Sequence, residues 1–369
     1  MDWKAVCQRL EVDPEAIFPA VEQDLSRLGL AEKFEIIGMP GGASNRGYLR
    51  VNFDGGAKVK SMVVMVLREP DFKQGVEEAI EDGFEITELP FLNVLKHFQA
   101  AKVSVPRLHY YNQDRGLIYI EDLGDKLLRN AIMESDAKGR KKWLAKAIDE
   151  LVRLQVGAGS REDGKFIGFR VKFNRKLLRW ELEHFREWAI EKRPVEQLDE
   201  KESGMLESAF QLIEDEMFGS PYILCHRDYH IDNLMVARGK IRVIDFQDAF
   251  MAPYPYDLAC LMYDRDTSQI LGEPLIETIV KYYFEKMAAA GFKPLEFSGY
   301  RRVFDLCVLH RAFKVVGRFY YLAVFKHKPE YLNFMPMEYD VLGKYLARFP
   351  EFAPLKKMLA DHLRELQNP

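Results

Sequence analysis

The chain has 369 residues, 48% of them hydrophobic and 12% aromatic, which supplies core for two lobes and excludes a disordered chain. A formal net charge of -4 excludes a generally basic nucleic-acid binder. The four cysteines, Cys7, Cys225, Cys260 and Cys307, form no CxxC pair, so they read as reduced, mostly buried thiols and no zinc site is expected.

Residues 1 to 30 read as short helices, broken around Asp13-Pro14 and Gly29. The start, "MDWKAVCQRLEVDPEA", lacks a basic stretch followed by an apolar one, and no apolar run is long enough to span a bilayer. A cytoplasmic location without membrane or nucleic-acid partners is therefore expected. Next, "KFEIIGMPGGASNRGYLRVNFDG" carries two β-prone runs around a glycine-containing turn, and "KVKSMVVMVLRE" reads as a third strand. "FLNVLKHFQAAKV" predicts a helix ended by the Val105-Pro106 step. "RLHYYNQDRGLIYIEDLG" predicts two more strands about a polar turn at Asn112 to Gly116.

Beyond Gly124 the periodicity is mainly helical. "NRKLLRWELEHFREW" places Leu178, Leu182, Phe185 and Trp188 on one face. "FDLCVLHRAFKVVGRF" does the same with Phe304, Val308, Ala312, Val315 and Phe319. Between them lies "CHRDYHIDNLMVARGKIRVIDFQDA", whose "IRVID" is a hairpin strand after the "ARGK" turn. The outline is an α+β, bilobal chain. Residues 1–120 would form N-terminal helices and a β-rich nucleotide-binding lobe. Residues 121–369 would form a helical lobe with the catalytic loop and acceptor site, the crossover lying near Glu121 to Gly124. A nucleotide cleft between the lobes fits that outline.

His226, Asp228 and Asn233 match HxDxxxxN, and Asp245 ends the following strand. Phosphoryl transfer from ATP needs hard cations on the phosphates and a carboxylate near the attacking hydroxyl. Asp228 is the candidate base. Asn233 and Asp245 are the candidate Mg²⁺ ligands. The competing reading has Asp228 and Asp232 capping turns while Asn233 binds backbone; the joined "VIDFQD" at hairpin distance favours the phosphoryl-transfer reading. His226 reads as a brace for the loop. Arg227 would pair with Asp245 or be exposed.

"HRDYHIDNLMV", "VIDFQDA" and "PYDLACL" resemble the aminoglycoside phosphotransferase and choline kinase superfamily, whose fold resembles that of protein kinases. Within it the likeness is to bacterial N-acetylmuramate/N-acetylglucosamine anomeric kinases. It extends through "GGASNRGYLRV", "NRKLLRWELEHFREW" and "LHRAFKVVGRFYYL". The resemblance implies an ATP- and Mg²⁺-dependent kinase, monomeric or weakly associated, acting on a small-molecule acceptor in cell-wall recycling. Alternatives are another acceptor (choline, an aminoglycoside, a different sugar) or a nucleotide-binding pseudokinase.

The same resemblance places a phosphate-covering turn at Gly41 to Gly47, with Ser44 and Asn45 as donors to phosphate oxygens. It also exposes a departure. The third strand, "SMVVMVLRE", has no interior lysine for the α and β phosphates. Arg46 and Arg68 are the candidate substitutes, and Glu77, Glu78, Glu81 and Glu88 the candidate partner glutamates. Backbone around Tyr119 to Glu121 would face the adenine, while Asp122 caps a turn. Asp257 matches the aspartate that braces the catalytic loop, or caps a helix. Asp248 would reach the substrate or a second metal shell, or lie exposed in a turn. Among Trp180, Trp188, Tyr254, Tyr256, Phe319 and Tyr320 most read as core, with sugar stacking open for a few.

Overall fold

In the computed structural model the described residues are 2–30, 33–40, 46–54, 59–68, 84, 86–161, 163–193 and 196–367. Two helices lead: α1 (Trp3–Arg9) and α2 (Pro14–Arg27). Asp2 and Asp13 cap them through their side chains, each accepting an N–H two residues on at 3.0 Å. Proline at the first position of α2 costs no helical hydrogen bond.

Strands β1 (Phe34–Gly38), β2 (Arg46–Phe53), β3 (Ser61–Leu67), β4 (Leu108–Asn112) and β5 (Leu117–Glu121) form an antiparallel sheet in the order β1-β2-β3-β5-β4. β2 alternates strictly. Leu49, Val51 and Phe53 pack under α1 and α2, while Arg46, Tyr48, Arg50 and Asn52 occupy the opposite face. β3 is apolar on both faces because both are covered. Met62, Val64 and Val66 join the α1/α2 cluster, and Val63, Met65 and Leu67 join the main core.

The helix predicted up to Val105 ends earlier, as α3 (Pro90–Ala100). Lys102 takes the left-handed conformation at φ 61, and the N–H groups of Lys102 and Val103 return to the carbonyls of Gln99 and Phe98 at 3.0 and 2.9 Å. This is a Schellman stop built on lysine instead of glycine, with Val103 buried beside Phe98.

The helical lobe comprises α4 (Leu128–Met133), α5 (Ala137–Val152), α6 (Arg175–Phe185), α7 (Glu200–Phe218), α8 (Tyr256–Tyr263), α9 (Thr267–Leu271), α10 (Glu273–Ala289), α11 (Phe297–Tyr320), α12 (Met335–Leu346) and α13 (Ala353–His362). Two short strand pairs are set into it: β6 (Tyr222–Cys225) with β9 (Phe250–Pro253), and β7 (Leu234–Ala237) with β8 (Lys240–Val243). The Arg238-Gly239 turn between β7 and β8 has both φ values positive, 52 and 73, as a two-residue hairpin requires. α11 runs through the core. Its predicted apolar face is buried, and it crosses α6 so closely that a Cβ on Gly317 would lie 2.5 Å from the His184 carbonyl oxygen. Trp188, expected on the buried face of α6, is half-buried in a π-helical turn that follows it.

Two ion-pair sets fasten the crossover. Arg50 of β2 reaches Asp122 and Asp125, both at 2.8 Å. Arg242 of β8 holds Glu121 at 2.7 Å and the Val105 carbonyl at 2.7 Å. The chain is bilobal and protein-kinase-like, with the small sheet over one edge of the helical lobe. Among the described residues no helix is long and apolar enough to cross a membrane. The four cysteines are free and buried.

Candidate active site

β6 pairs with β9 and β7 with β8, so the β6–β7 and β8–β9 loops emerge side by side. That pairing brings Asp228, Asn233 and Asp245 to one place. The loops are cross-tied. His226 Nε2 bonds the Ile244 carbonyl at 2.9 Å, and the Ile244 N–H donates to the Asn233 carbonyl at 3.1 Å. From the first turn of α8, buried Asp257 accepts the N–H groups of His226 and Arg227 at 2.7 and 3.0 Å. Of the two readings open for Asp257, bracing the loop or capping a helix, these hydrogen bonds match the first. The brace holds Arg227 at φ 82, while Asp245 stands at φ 59. Both lie in the left-handed region, uncommon for residues other than glycine and less so for an aspartate than for an arginine.

Asp228 is exposed and opens into a cavity that the surrounding loops and α11 enclose. The protein crowded around it works to raise its pKa, but the charges of Lys314 and Arg227 prevail and hold it below the usual aspartate value. His226 and His230 are held neutral by burial; the His230 pKa falls to about 4. Burial and the nearby Asp228 charge push the Asp257 carboxyl up to about 7. Asn233 spends its Nδ2 on the Asp228 carbonyl at 3.0 Å and on His230 at 3.2 Å. Asp245 accepts from Gln247 Nε2 at 3.0 Å, and the same nitrogen reaches Asp248 at 2.9 Å. Asp248 is thus linked to Asp245 through one amide. Arg227 neither pairs with Asp245 nor lies fully exposed; its guanidinium sits 5.5 Å from the Phe250 ring centre.

Two cavities meet at these residues. The first, about 480 Å³, lies under the sheet. Apolar walls from Met39, Tyr48, Val63, Met65, Phe91 and Ile120 face Met235 and Phe246, with the crossover residues Glu121 to Gly124 along one edge. The second, about 390 Å³, lies against α8 and α11 and has a charged lining that includes His230, Asp264, Arg265, Arg311 and Lys314. Asp232, Asn233 and Asp245 line both, and Asp228 lines the second.

Arg46 lies on the cleft side of β2, beside Tyr48, whose hydroxyl it contacts. Arg68 does not join it. One residue past Leu67, it falls on the outer face of the sheet and pairs with Glu11 after α1. The expectation that Arg68 replaces the lysine is corrected by strand parity. Tyr119, expected to offer backbone to the adenine, lies inside β5 and pairs with Val64 of β3 and Tyr110 of β4. Its ring is buried on the α2 side, and its hydroxyl donates to Asp24 at 2.8 Å. The Glu121 N–H is taken by the Arg107 carbonyl at 2.8 Å and its carboxylate by Arg242, so the cleft edge it shares continues through Asp122 to Gly124. Asp122 caps Gly124 at 2.9 Å, as expected. Glu88 pairs with Lys96. Ser44, Asn45, Glu77, Glu78 and Glu81 lie outside the described residues.

Of the aromatic candidates, Tyr256 and Phe319 line the second cavity, Tyr254 is core, and Trp180 is 50% exposed. The sequence reading missed the charged wall formed by Asp264, Arg265, Arg311 and Lys314. Arg311 and Lys314 sit in "HRAFKVV", three residues apart inside a buried helix; charges at such positions were the available signal.

A phosphotransferase enzyme family matches residues 35–295. The N-acetylmuramate/N-acetylglucosamine kinase of Neisseria meningitidis serogroup B is 30% identical over 321 residues, 86% of this chain and 88% of that one. The enzyme of the same name from Pseudomonas putida is 30% identical over 278 residues, 74% of this chain and 77% of that one. In fold the chain is similar to a choline kinase from Cryptosporidium parvum, with a TM-score of 0.61 at 13% identity over 96% of this chain and 100% of that one. It is also similar to an ADP-bound aminoglycoside phosphotransferase, with a TM-score of 0.56 at 17% identity over 90% of this chain and 97% of that one. The two aspartates and the asparagine at the seam of two cavities fall inside the matched span, and the chain belongs to the phosphotransferase enzyme family.

Proposed function

We propose that this ATP-dependent phosphotransferase phosphorylates the anomeric hydroxyl of an N-acetylated amino sugar, N-acetylmuramate or N-acetylglucosamine. The observation that carries the reading is the seam, where Asp228, Asn233 and Asp245 stand between an apolar cavity and a charged one. Adenine takes the apolar cavity under β3, and Arg46 on the cleft face of β2 meets the phosphates. The acceptor takes the second cavity, whose size suits a monosaccharide. The names of the relatives support the choice of sugar.

Asp228 orients the anomeric hydroxyl and accepts its proton. The sugar oxygen forms a bond to the γ-phosphorus as the bond to the β-phosphate oxygen breaks, and ADP leaves. An anomeric hydroxyl is more acidic than an ordinary sugar alcohol, which suits a carboxylate of low pKa. Asn233 and Asp245 fit Mg²⁺. Asn233 has committed its nitrogen elsewhere, leaving its oxygen as the ligand, and both residues offer the hard oxygen donors this ion takes. The bound ion would neutralise phosphate charge.

Choline and aminoglycosides are cations; the second cavity carries Asp228, Asp232, Asp245 and Asp264 beside Arg265, Arg311 and Lys314, so its mixed charge does not by itself decide against them, and the names of the relatives favour the sugar. The test uses γ-labelled ATP with each sugar, followed by mild acid. A sugar 1-phosphate loses its label because the ring oxygen stabilises the departing carbocation, whereas a 6-phosphate keeps it. Acid-stable label, or label passed only to choline or an aminoglycoside, would overturn the reading.

A further inference from the structure

Resting on that reading, we infer that the acceptor cavity recognises a carboxylate through Arg311 and Lys314, and therefore takes N-acetylmuramate in preference to neutral N-acetylglucosamine. The two sugars differ by a lactyl ether that ends in a carboxylate, so the distinction is one of charge.

The argument starts from the charge pairing of the wall. Asp232 is gripped by Arg129 at 2.6 and 2.8 Å, with Arg265 at 3.3 Å. Asp264 is paired with Arg311 and lies 3.8 Å from Arg265. Asp232 is thus fully engaged and Asp264 is engaged through Oδ1, its Oδ2 having no hydrogen-bond partner among the described residues; the cavity's other two carboxylates, Asp228 and Asp245, are on the proposed reading taken by the acceptor hydroxyl and the metal. Donors remain open. Arg311 is 8% exposed, lines the cavity, and has no hydrogen-bond partner for Nη1 among the described residues. A buried guanidinium N–H without an acceptor is costly, so a ligand oxygen there recovers free energy.

Lys314 lies three residues further along α11, on the same side of the helix, and lines the same cavity. Glu181 of α6, buried at 1% exposure, holds its ammonium at 2.7 Å. An ammonium has three donors, and Glu181 uses one. The hydroxyls of a neutral sugar can also accept from these groups, but a carboxylate makes the stronger, charge-assisted bond. The motifs in α6 and α11 that the phosphoryl-transfer site leaves unexplained thereby acquire a role. Glu181 positions Lys314, and Arg311 and Lys314 together face the acceptor.

The experiment compares kcat/KM for N-acetylmuramate and N-acetylglucosamine in the parent, in Arg311→Lys, and in the double variant Lys314→Gln/Glu181→Gln. The double variant removes both charges, so no buried carboxylate is left unpaired. Arg311→Lys keeps a cation beside Asp264 and deletes the second guanidinium nitrogen. The parent should favour N-acetylmuramate by about tenfold or more, the scale of one charged hydrogen bond. Both variants should bring the ratio toward unity, mainly through KM for N-acetylmuramate. General losses of rate cancel in the ratio. A parent ratio near unity or reversed, or a ratio unchanged in folded variants, would overturn the inference while leaving the sugar-kinase reading standing. Turnover of neither sugar by the parent would overturn both.

Discussion

Asp228 is open to solvent within the cavity, and the charges of Lys314 and Arg227 favour its carboxylate. Asp228→Asn keeps the shape and removes the proton acceptor, so turnover should fall about 10²-fold or more. Nucleotide binding should change little, because the side chain lines the second cavity, the one proposed for the acceptor. The pH dependence has a definite sign. With its folded pKa below the ordinary 3.8, Asp228 contributes stability above that value and loses it as pH falls through the folded pKa. It therefore puts no acid limb near neutrality into kcat/KM, and a limb at about pH 6 that vanishes in Asp228→Asn would contradict its state. Arg46 and Arg68 make a second pair of expectations. Arg46→Ala should raise KM for ATP several-fold, and Arg68→Ala should leave it near the parent value because its partner is Glu11 on the far face. Equal effects of the two would refute the assignment. The offsets of Asp228, Asn233 and Asp245 were readable because a loop needs no face. The misplacement of Arg68 has a clear cause: β3 is apolar on both sides, and such a strand does not reveal which side is the cleft.

At the level of elements, the crossing of α6 and α11 depends on Gly317. Alanine in a helix interior ordinarily gains about 1 kcal/mol over glycine. Here the added carbon would meet the His184 carbonyl oxygen at 2.5 Å and the Phe185 nitrogen at 2.7 Å, backbone atoms with no rotamer to yield. Gly317→Ala should therefore destabilise by about 1–3 kcal/mol, seen as a lower urea midpoint. An unchanged or raised midpoint would mean that the helices separate freely. The strands, the polar turn between β4 and β5 and the amphipathic helices followed the sequence pattern closely. The end of α3 did not. A lysine in the left-handed conformation gives no composition signal, since the hydrogen bonds to Gln99 and Phe98 stabilise a conformation that its side chain disfavours.

Across the whole molecule, the outline of sheet, crossover and helical lobe was legible because each part has its own periodicity. The acceptor wall was not. Its residues run from Asp228 to Phe319 through a loop, α8 and α11, and adjacency arises only when those elements pack. The two cavities share Asp232, Asn233 and Asp245 among the described residues. That narrow overlap has an evolutionary consequence. If the second cavity holds the acceptor as proposed, drift along α11 would redraw the guest that is welcomed while the sheet and the seam stayed as they are. On the proposed roles of the two cavities, a lineage could then explore new substrates by editing one wall of a room whose other walls stay fixed.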